Sequence, residues 1–355
     1  MEKYSPYSEL KIFHHVDRIQ GLLKGERVSP IYIRIKPTNV CNQNCFYCGY
    51  ANDLLYDGRQ VDKRESISWE CMERALKELA EMKVKAVTFS GGGEPLCYHS
   101  IRETLRLVQS LGIDYSIITN GQALEGEIVD ELKNAKWVRI SFDSSKAETY
   151  EKVRRVSTYS KVVQNIANFA LNKGENCTLG INCVITKQNS EEIFDICKMI
   201  KELGADNIKL SPIMVKDGEE DYHGQIKEIV KEQIIRAKQQ LENENFQIVD
   251  KYSNDLAIAQ AFRKKYHRCI IQELFAVIAA DSKVYRCHQR AYVKEGEIGD
   301  LTQNSFKEIW NLQETVEDVR QFDAFEHCQF PCAFDERNIL LNDFINMDKN
   351  HINFI

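Results

Sequence analysis

The sequence predicts an α/β protein: a sheet of parallel strands covered by helices, followed by a smaller irregular domain. Three observations predict it. Strand-like runs alternate with helical periodicity across residues 31–213. Several of those strands end in glycine- or asparagine-bearing turns. Beyond residue 215 the alternation stops, and a cysteine-bearing stretch without clear periodicity begins near residue 266. Alternation of this kind argues for a parallel sheet, either open or closed as a barrel.

The elements read as follows. IYIRIKPT (31–38) is a strand, and a cysteine loop follows it. SISWECMERALKELAEM (66–82) has helical spacing and a serine placed to cap it. KAVTFS (85–90) is a strand running into three glycines, and 98–111 is helical. DYSIITNG (114–121) is a strand ending in Asn-Gly, followed by a helix over 123–134. WVRISFDS (137–144) is the fourth strand, with a helix near 160–173. CTLGINCVIT (177–186), a helix over 190–203 and NIKLSPI (207–213) complete the alternation. The expected domains are an N-terminal extension (1–30), the α/β core (31–215), a polar helical bridge (216–265), a small auxiliary domain (266–335) and a tail (336–355).

Composition narrows the function. The chain has 355 residues, 43% hydrophobic and 28% charged, with a formal net charge of −6. A mildly acidic, mixed surface supplies no bulk attraction for nucleic acid or an anionic membrane. The N-terminus has no apolar signal segment, and Leu274–Ala280 is too short to span a bilayer. A cytosolic protein is expected. Its twelve cysteines then point to metal ligation or catalysis ahead of disulfides.

Cys41, Cys45 and Cys48 stand within CNQNCFYCGY, directly after the first strand. Three close thiols cannot close a tetrahedral zinc site without a distant fourth ligand. They can instead hold a metal centre with one position open. Parallel α/β folds bind ligands at the C-terminal ends of their strands, and this loop lies at such an end. The next strand ends in SGGGEP (90–95), where glycines permit close backbone approach and Glu94 offers a carboxylate to a cationic amine.

CNQNCFYCGY together with SGGGEP resembles the radical S-adenosylmethionine (radical SAM) superfamily, over roughly residues 30–215. The resemblance implies a partial (β/α)6 TIM-like barrel. It implies that Cys41, Cys45 and Cys48 hold a [4Fe-4S] cluster whose fourth iron takes S-adenosylmethionine. Tyr47 falls at the family's aromatic position near adenine, and Gly92, Gly93 and Glu94 at the segment meeting the methionyl amine. Asn120, Ser141 and Asp143 fit ribose or substrate contacts, although Asn120-Gly121 also reads as a plain turn. YEKVRR points to Arg154, rather than Arg155, as the arginine for the cofactor carboxylate; a surface helix charge is the alternative. The implied chemistry is one-electron cleavage of the sulfonium, driven by a reducing donor such as flavodoxin or ferredoxin. Hydrogen abstraction from an unactivated C–H bond follows.

Cys269, Cys287, Cys328 and Cys332, with GEIGDL and SFKEIW between them, resemble the twitch form of the SPASM domain. That implies a second, fully ligated [4Fe-4S] cluster; zinc is the alternative. The glycine usual before the second ligand is absent, and Asp281-Ser282 stand near its place. His288 and His327 adjoin ligand positions and could support or replace a thiol.

A closed auxiliary cluster suits electron transfer, hence oxidation of a substrate radical. Epimerisation needs instead a hydrogen donor, usually a thiol. Cys71, Cys177, Cys183 and Cys197 read as core, and Asn182 as facing into the barrel. Cys97, just past the glycine run, is the one single cysteine placed to donate hydrogen. Arg34, Lys36, Arg139 and Lys209 could project inward and suit a phosphorylated or carboxylated substrate. The first thirty residues are too short for a separate leader-binding domain, which favours a small polar substrate over a peptide. Two enzyme readings therefore stand: oxidation or epimerisation of a sugar-like or aminocyclitol-like carbinol, and radical modification of a peptide. A non-enzymatic iron–sulfur or zinc protein is the third.

Overall fold

The computed structural model describes residues 8–50, 59, 61–213, 222–253, 264–328 and 330–354. The expected alternation is present. Its strands are β1 (Tyr32–Ile35), β2 (Ala86–Phe89), β3 (Asp114–Thr119), β4 (Trp137–Ser141), β5 (Thr178–Ile185) and β6 (Asn207–Pro212), parallel and in sequential order. Among them run α2 (Trp69–Glu81), α3 (Ile101–Ser110), α4 (Glu127–Leu132), α5 (Ala147–Arg154), α6 (Tyr159–Asn172) and α7 (Ile193–Glu202); α1 (Val16–Leu23) precedes β1. Local chemistry sets several boundaries. The Ser68 hydroxyl accepts from Cys71 N at 3.2 Å, so α2 starts there, and it buries Cys71, Met72, Ala75, Leu76 and Leu79 on one face. The helix expected over 123–134 starts only at Glu127, because Gly126 takes φ +58° just before it.

The sheet extends further than the sequence predicts, at both edges. Within the stretch expected as a helical bridge, α8 (Lys227–Leu241) is followed by β7 (Gln247–Asp250), which pairs in parallel with β6. Four residues with one buried apolar side chain, Ile248, are too few to show a period. The boundary expected at residues 215–216 lies outside the described residues. On the other side, β8 (Phe275–Ile278) pairs in parallel with β1, so the auxiliary segment is continuous with the main sheet. All four of its residues are buried, as in a strand covered on both faces. Burial of Phe275, Val277 and Ile278 contributes about 1.5–3 kcal/mol each.

The edge is completed by β9 (Lys283–Tyr285) and β10 (Glu297–Asp300), both antiparallel. Ser282 holds the β8–β9 turn at φ +62°, the conformation that glycine would adopt freely. The Asp281 carboxylate supports the turn by accepting from Lys283 N and the Tyr285 hydroxyl. Then follow α9 (Phe306–Asn311), α10 (Gln313–Gln321), α11 (Ala324–His327) and α12 (Asp335–Asn346). The segment expected as a tail is thus largely helix, and Asn338 and Leu341 on it are fully buried.

The strands are two-sided. Ile33, Ile35, Val138, Ile140, Leu179, Ile181 and Cys183 are fully buried in the main core. The alternate side chains Arg34, Arg139, Ser141, Asn182 and Lys209 are half-buried on the inner face. Cys71, Cys177, Cys183 and Cys197 are core residues, as expected.

Candidate functional site

The cysteine loop leaves the C-terminal end of β1 and is clamped from three sides. Asn44 N and Phe46 N donate to Arg154 O and Val153 O, which ties the loop to the end of α5. The Gln43 amide donates to the Tyr150 hydroxyl at 2.9 Å. Asn120, after β3, donates from Nδ2 to Asn42 Oδ1 at 2.6 Å. The glycine run closes the remaining side: Gly93 N donates to Thr38 O and Glu94 N to Val40 O, each at 2.9 Å. A Cβ on Gly93 would lie 2.2 Å from Val40 O, and one on Gly92 would lie 1.9 Å from Asn39 Oδ1. Close approach is therefore required here by the protein's own backbone, ahead of any ligand.

Glu94 is 3% exposed and already engaged. It accepts from Leu96 N (3.1 Å), the Thr119 hydroxyl (2.6 Å) and Asn120 N (2.7 Å). Burial pushes its carboxyl above the usual range, opposed by those hydrogen bonds. Expected as a partner for an amine, it fixes Asn120 in place in this structure.

Asp143 and Arg154 pair with each other in this structure. Asp143 is fully buried, and its Oδ2 accepts from the Tyr47 hydroxyl at 2.7 Å and lies 2.5 Å from Arg154 Nη2. Oδ1 accepts from Val184 N at 2.8 Å. Arg154 donates from Nη1 to Cys45 Sγ at 3.5 Å. Arg154 is the inward residue of the pair, while Arg155 caps α5 at φ +57°. So Asp143 lies buried inside a Tyr47–Asp143–Arg154–Cys45 chain. Ser141, Asn182 and Lys209 stand opposite one another on β4, β5 and β6, with Asn120 one position beyond the Thr119–Ile140 pair. That row of half-buried and buried polar side chains crosses the inner face at the loop end of the sheet.

The first thiol set is electrostatically coupled: ionising Cys45 or Cys48 opposes ionisation of Cys41. Burial raises the Cys45 thiol, with Arg154 opposing. Cys97 lies beside this loop, where the Asn42 N–H bonds to its sulfur and burial raises its thiol.

In the auxiliary segment, Cys269 is coupled to Cys287 and Cys328, Cys287 to Cys328, and Cys332 to Cys287. N–H donors surround these sulfurs. Asn338 Nδ2 lies 3.4 Å from Cys269 Sγ and Phe334 N 3.5 Å from Cys332 Sγ, and the backbone N–H groups of Gln289 and Arg290 reach Cys287. Among the described residues, no three His, Cys, Asp or Glu side chains converge on a position for a single metal ion. His288 packs edge-on to Phe275 and Phe334 with Nδ1 buried and unpartnered, whereas His327 is exposed against Phe322. Two sets of electrostatically coupled soft thiols, with N–H donors to several of their sulfurs, fit the ligand chemistry of iron–sulfur clusters in both places.

Sequence reasoning missed Asn39, Asn42, Asn338 and Tyr292. Asn39 and Asn42 flank the first cysteine and were open to notice. Tyr292, whose hydroxyl donates to Asn39 Oδ1 at 2.5 Å, and Asn338 carry no local signal.

Comparison with known proteins agrees with this geometry. Family models match the radical SAM superfamily over residues 35–200 and an iron–sulfur cluster-binding domain, SPASM, over residues 269–333. The chain thus carries a radical SAM domain and a C-terminal SPASM domain. Its cofactors are accordingly a [4Fe-4S] cluster with S-adenosylmethionine, and auxiliary iron–sulfur. A probable GTP 3′,8-cyclase of Metallosphaera sedula is 29% identical over 56% of this chain and 62% of its own length. A GTP 3′,8-cyclase of Clostridium perfringens is 30% identical over 51% and 56%. The match thus spans only about three-fifths of those curated relatives. An AdoMet-dependent heme synthase of Methanosarcina barkeri is 24% identical over 82% of this chain and 85% of its own. In structure, Streptococcus suis SuiB bound to S-adenosylmethionine superposes with a TM-score of 0.64 at 19% identity, over 90% of this chain and 75% of SuiB. The enzyme anSMEcpe with bound AdoMet gives 0.62 at 17%, over 89% and 93%. These structural likenesses show the fold. No helix among the described residues is long and apolar enough to cross a membrane.

Proposed function

We propose that this radical SAM enzyme abstracts hydrogen from a carbinol C–H of a sugar-like or aminocyclitol-like small molecule and oxidises it to a ketone. Cys41, Cys45 and Cys48 would hold the first cluster, and Cys269, Cys287, Cys328 and Cys332 the auxiliary one. When bound, the first cluster and S-adenosylmethionine supply a 5′-deoxyadenosyl radical. The chain's residues bind, orient and shield. Asn120 and the glycine run brace the cysteine loop, Arg154 donates to Cys45, and Ser141 and Asn182 offer hydrogen bonds to hydroxyl groups.

One observation carries oxidation over epimerisation: the placement of the spare thiols. Four are in the core, which leaves Cys97, beside the cysteine loop, as the single candidate donor. The auxiliary thiols Cys269 and Cys287 flank β8 and β9, strands continuous with the core sheet, which supports an electron acceptor instead. The relatives' names, a cyclase and a heme synthase, do not share one reaction, so the substrate reading rests on the inner face alone. The test is a carbinol-deuterated substrate panel. Deuterium must appear in 5′-deoxyadenosine, and the product must carry none from D2O. Transfer only from a peptide substrate would favour the peptide-modifying reading. Solvent deuterium in product, lost with Cys97→Ala, would establish epimerisation.

A further inference from the structure

The inner face of β1 carries buried positive charge that no carboxylate among the described residues pairs with at Lys36 or Arg34. Arg34 and Lys36 share that face, and Ile33 and Ile35 take the other into the core. The buried lysines and arginines among the described residues are Lys36, Arg154, Lys264 and Arg286. Three have a carboxylate: Arg154 has Asp143, Lys264 has Asp335 and Arg286 has Asp318. Lys36, only 1% exposed, has none. Its Nζ lies 2.6 Å from the Tyr50 hydroxyl, and 4.2 and 5.1 Å from the Tyr50 and Tyr292 ring centres. Arg34 makes no ion pair among the described residues, and its Nε is buried without a partner. Arg59 packs over Tyr50 at 4.8 Å and donates to Gln289 O at 3.2 Å, bringing a third cation to the same place. His288, whose Nδ1 is also buried and unpartnered, lies within electrostatic reach of Arg34, Lys36 and Arg59.

Burying a cation without a counter-ion is costly, and burial lowers the Lys36 pKa accordingly; an anionic ligand would relieve that cost. The cluster is also well placed. Tyr50 follows the third cysteine of the first set, and His288 adjoins Cys287 of the second. It therefore adjoins both cysteine sets along the chain, on the face where the reaction is proposed.

We propose that Arg34 and Lys36, with Tyr50 and His288 as hydrogen-bonding neighbours, seat a compact oxyanion of the substrate, a phosphate monoester or a carboxylate. The substrate is then an acidic or phosphorylated carbinol, with its anion held at β1 and its reacting carbon toward the cysteine loop. A guanidinium fork beside an ammonium suits such a group. The inference rests on the carbinol reading for its substrate, but anion binding is measurable without turnover.

The test is calorimetric titration of the anaerobically reconstituted full chain with inorganic phosphate and with acetate, chloride serving as control. Saturable one-site binding that equal chloride does not displace is expected, and the tighter probe identifies the anion type. Lys36→Met should weaken that binding at least tenfold while leaving the unliganded melting temperature unchanged or raised, since it removes an uncompensated charge. Arg34→Gln gives a second, more exposed variant with the same expected loss. Failure of both anions to bind, or unchanged affinity in both variants, overturns the seat. Anion binding without deuterium transfer from any labelled carbinol would retain the seat and overturn the proposed reaction. Transfer from neutral sugars with no anion site would do the reverse.

Discussion

Replacing Asp143 with leucine should cost far more than an ordinary core substitution, because it strands the Arg154 guanidinium. The two side chains are 0% and 4% exposed, so solvent screens neither. Removing one partner of such a pair costs about 3–5 kcal/mol. For a chain of 355 residues, unfolding entropy of about 2 cal/mol/K per residue makes that a fall of roughly 4–7 °C in melting temperature. Replacing Asp143 and Arg154 together, by leucine and methionine, should recover most of the loss, since no charge is then left buried. The assay is thermal unfolding of wild type, both single variants and the double variant, followed by circular dichroism under anaerobic conditions. The reasoning is refuted if Asp143→Leu melts within about 1 °C of wild type, or if the double variant loses the sum of the two singles.

Further outcomes follow from other contacts. Gly93→Ala forces a Cβ to 2.2 Å from Val40 O, so the cysteine loop should separate from the glycine run and reconstituted iron should fall while the auxiliary cluster persists. Asn338→Leu removes an N–H donor to Cys269 Sγ, and the auxiliary cluster should become harder to reduce in an EPR-monitored redox titration. An unchanged midpoint would deny Asn338 that role. His223 bonds from Nε2 to Ile213 O at 2.9 Å, and burial lowers its pKa below 6.5 despite that carbonyl. Its folded pKa being depressed, the stability it contributes is present above about pH 6.5 and is lost as pH falls toward the folded value. Denaturant titrations of wild type and His223→Gln should therefore converge on acidification from pH 7.5 to pH 5.5; a constant gap would contradict the assignment.

What was legible in the sequence was local. CNQNCFYCGY carries its chemistry in spacing alone, and it lies on a loop directly after a strand whose alternation is visible. Burial of Cys71, Cys177, Cys183 and Cys197 followed from the helix and strand periods. The strands β7 and β8 were hidden for opposite reasons: QIVD is too short and polar to stand out, while FAVI is apolar on both faces and shows no alternation. The Tyr47–Asp143 contact joins residues 96 apart, so no window could reveal that Asp143 would be buried by its own neighbours. Glu94 was read as a ligand for an amine because its carboxylate follows a glycine run; that Thr119 and Asn120 already engage it depends on β2 and β3 pairing in register. Asn338 lay in a segment read as a tail, and only the packing of α12 against the auxiliary cysteines gives it meaning.

The measurement that tests the account most directly is the iron and sulfide content of the anaerobically reconstituted chain, with its absorption spectrum, for wild type and for Cys41→Ala/Cys45→Ala/Cys48→Ala. The account predicts about eight irons in wild type, falling to about four in the variant, one cubane at each cysteine set. About four irons falling to none, with zinc at the second set, would contradict it and remove the electron acceptor on which the oxidation depends.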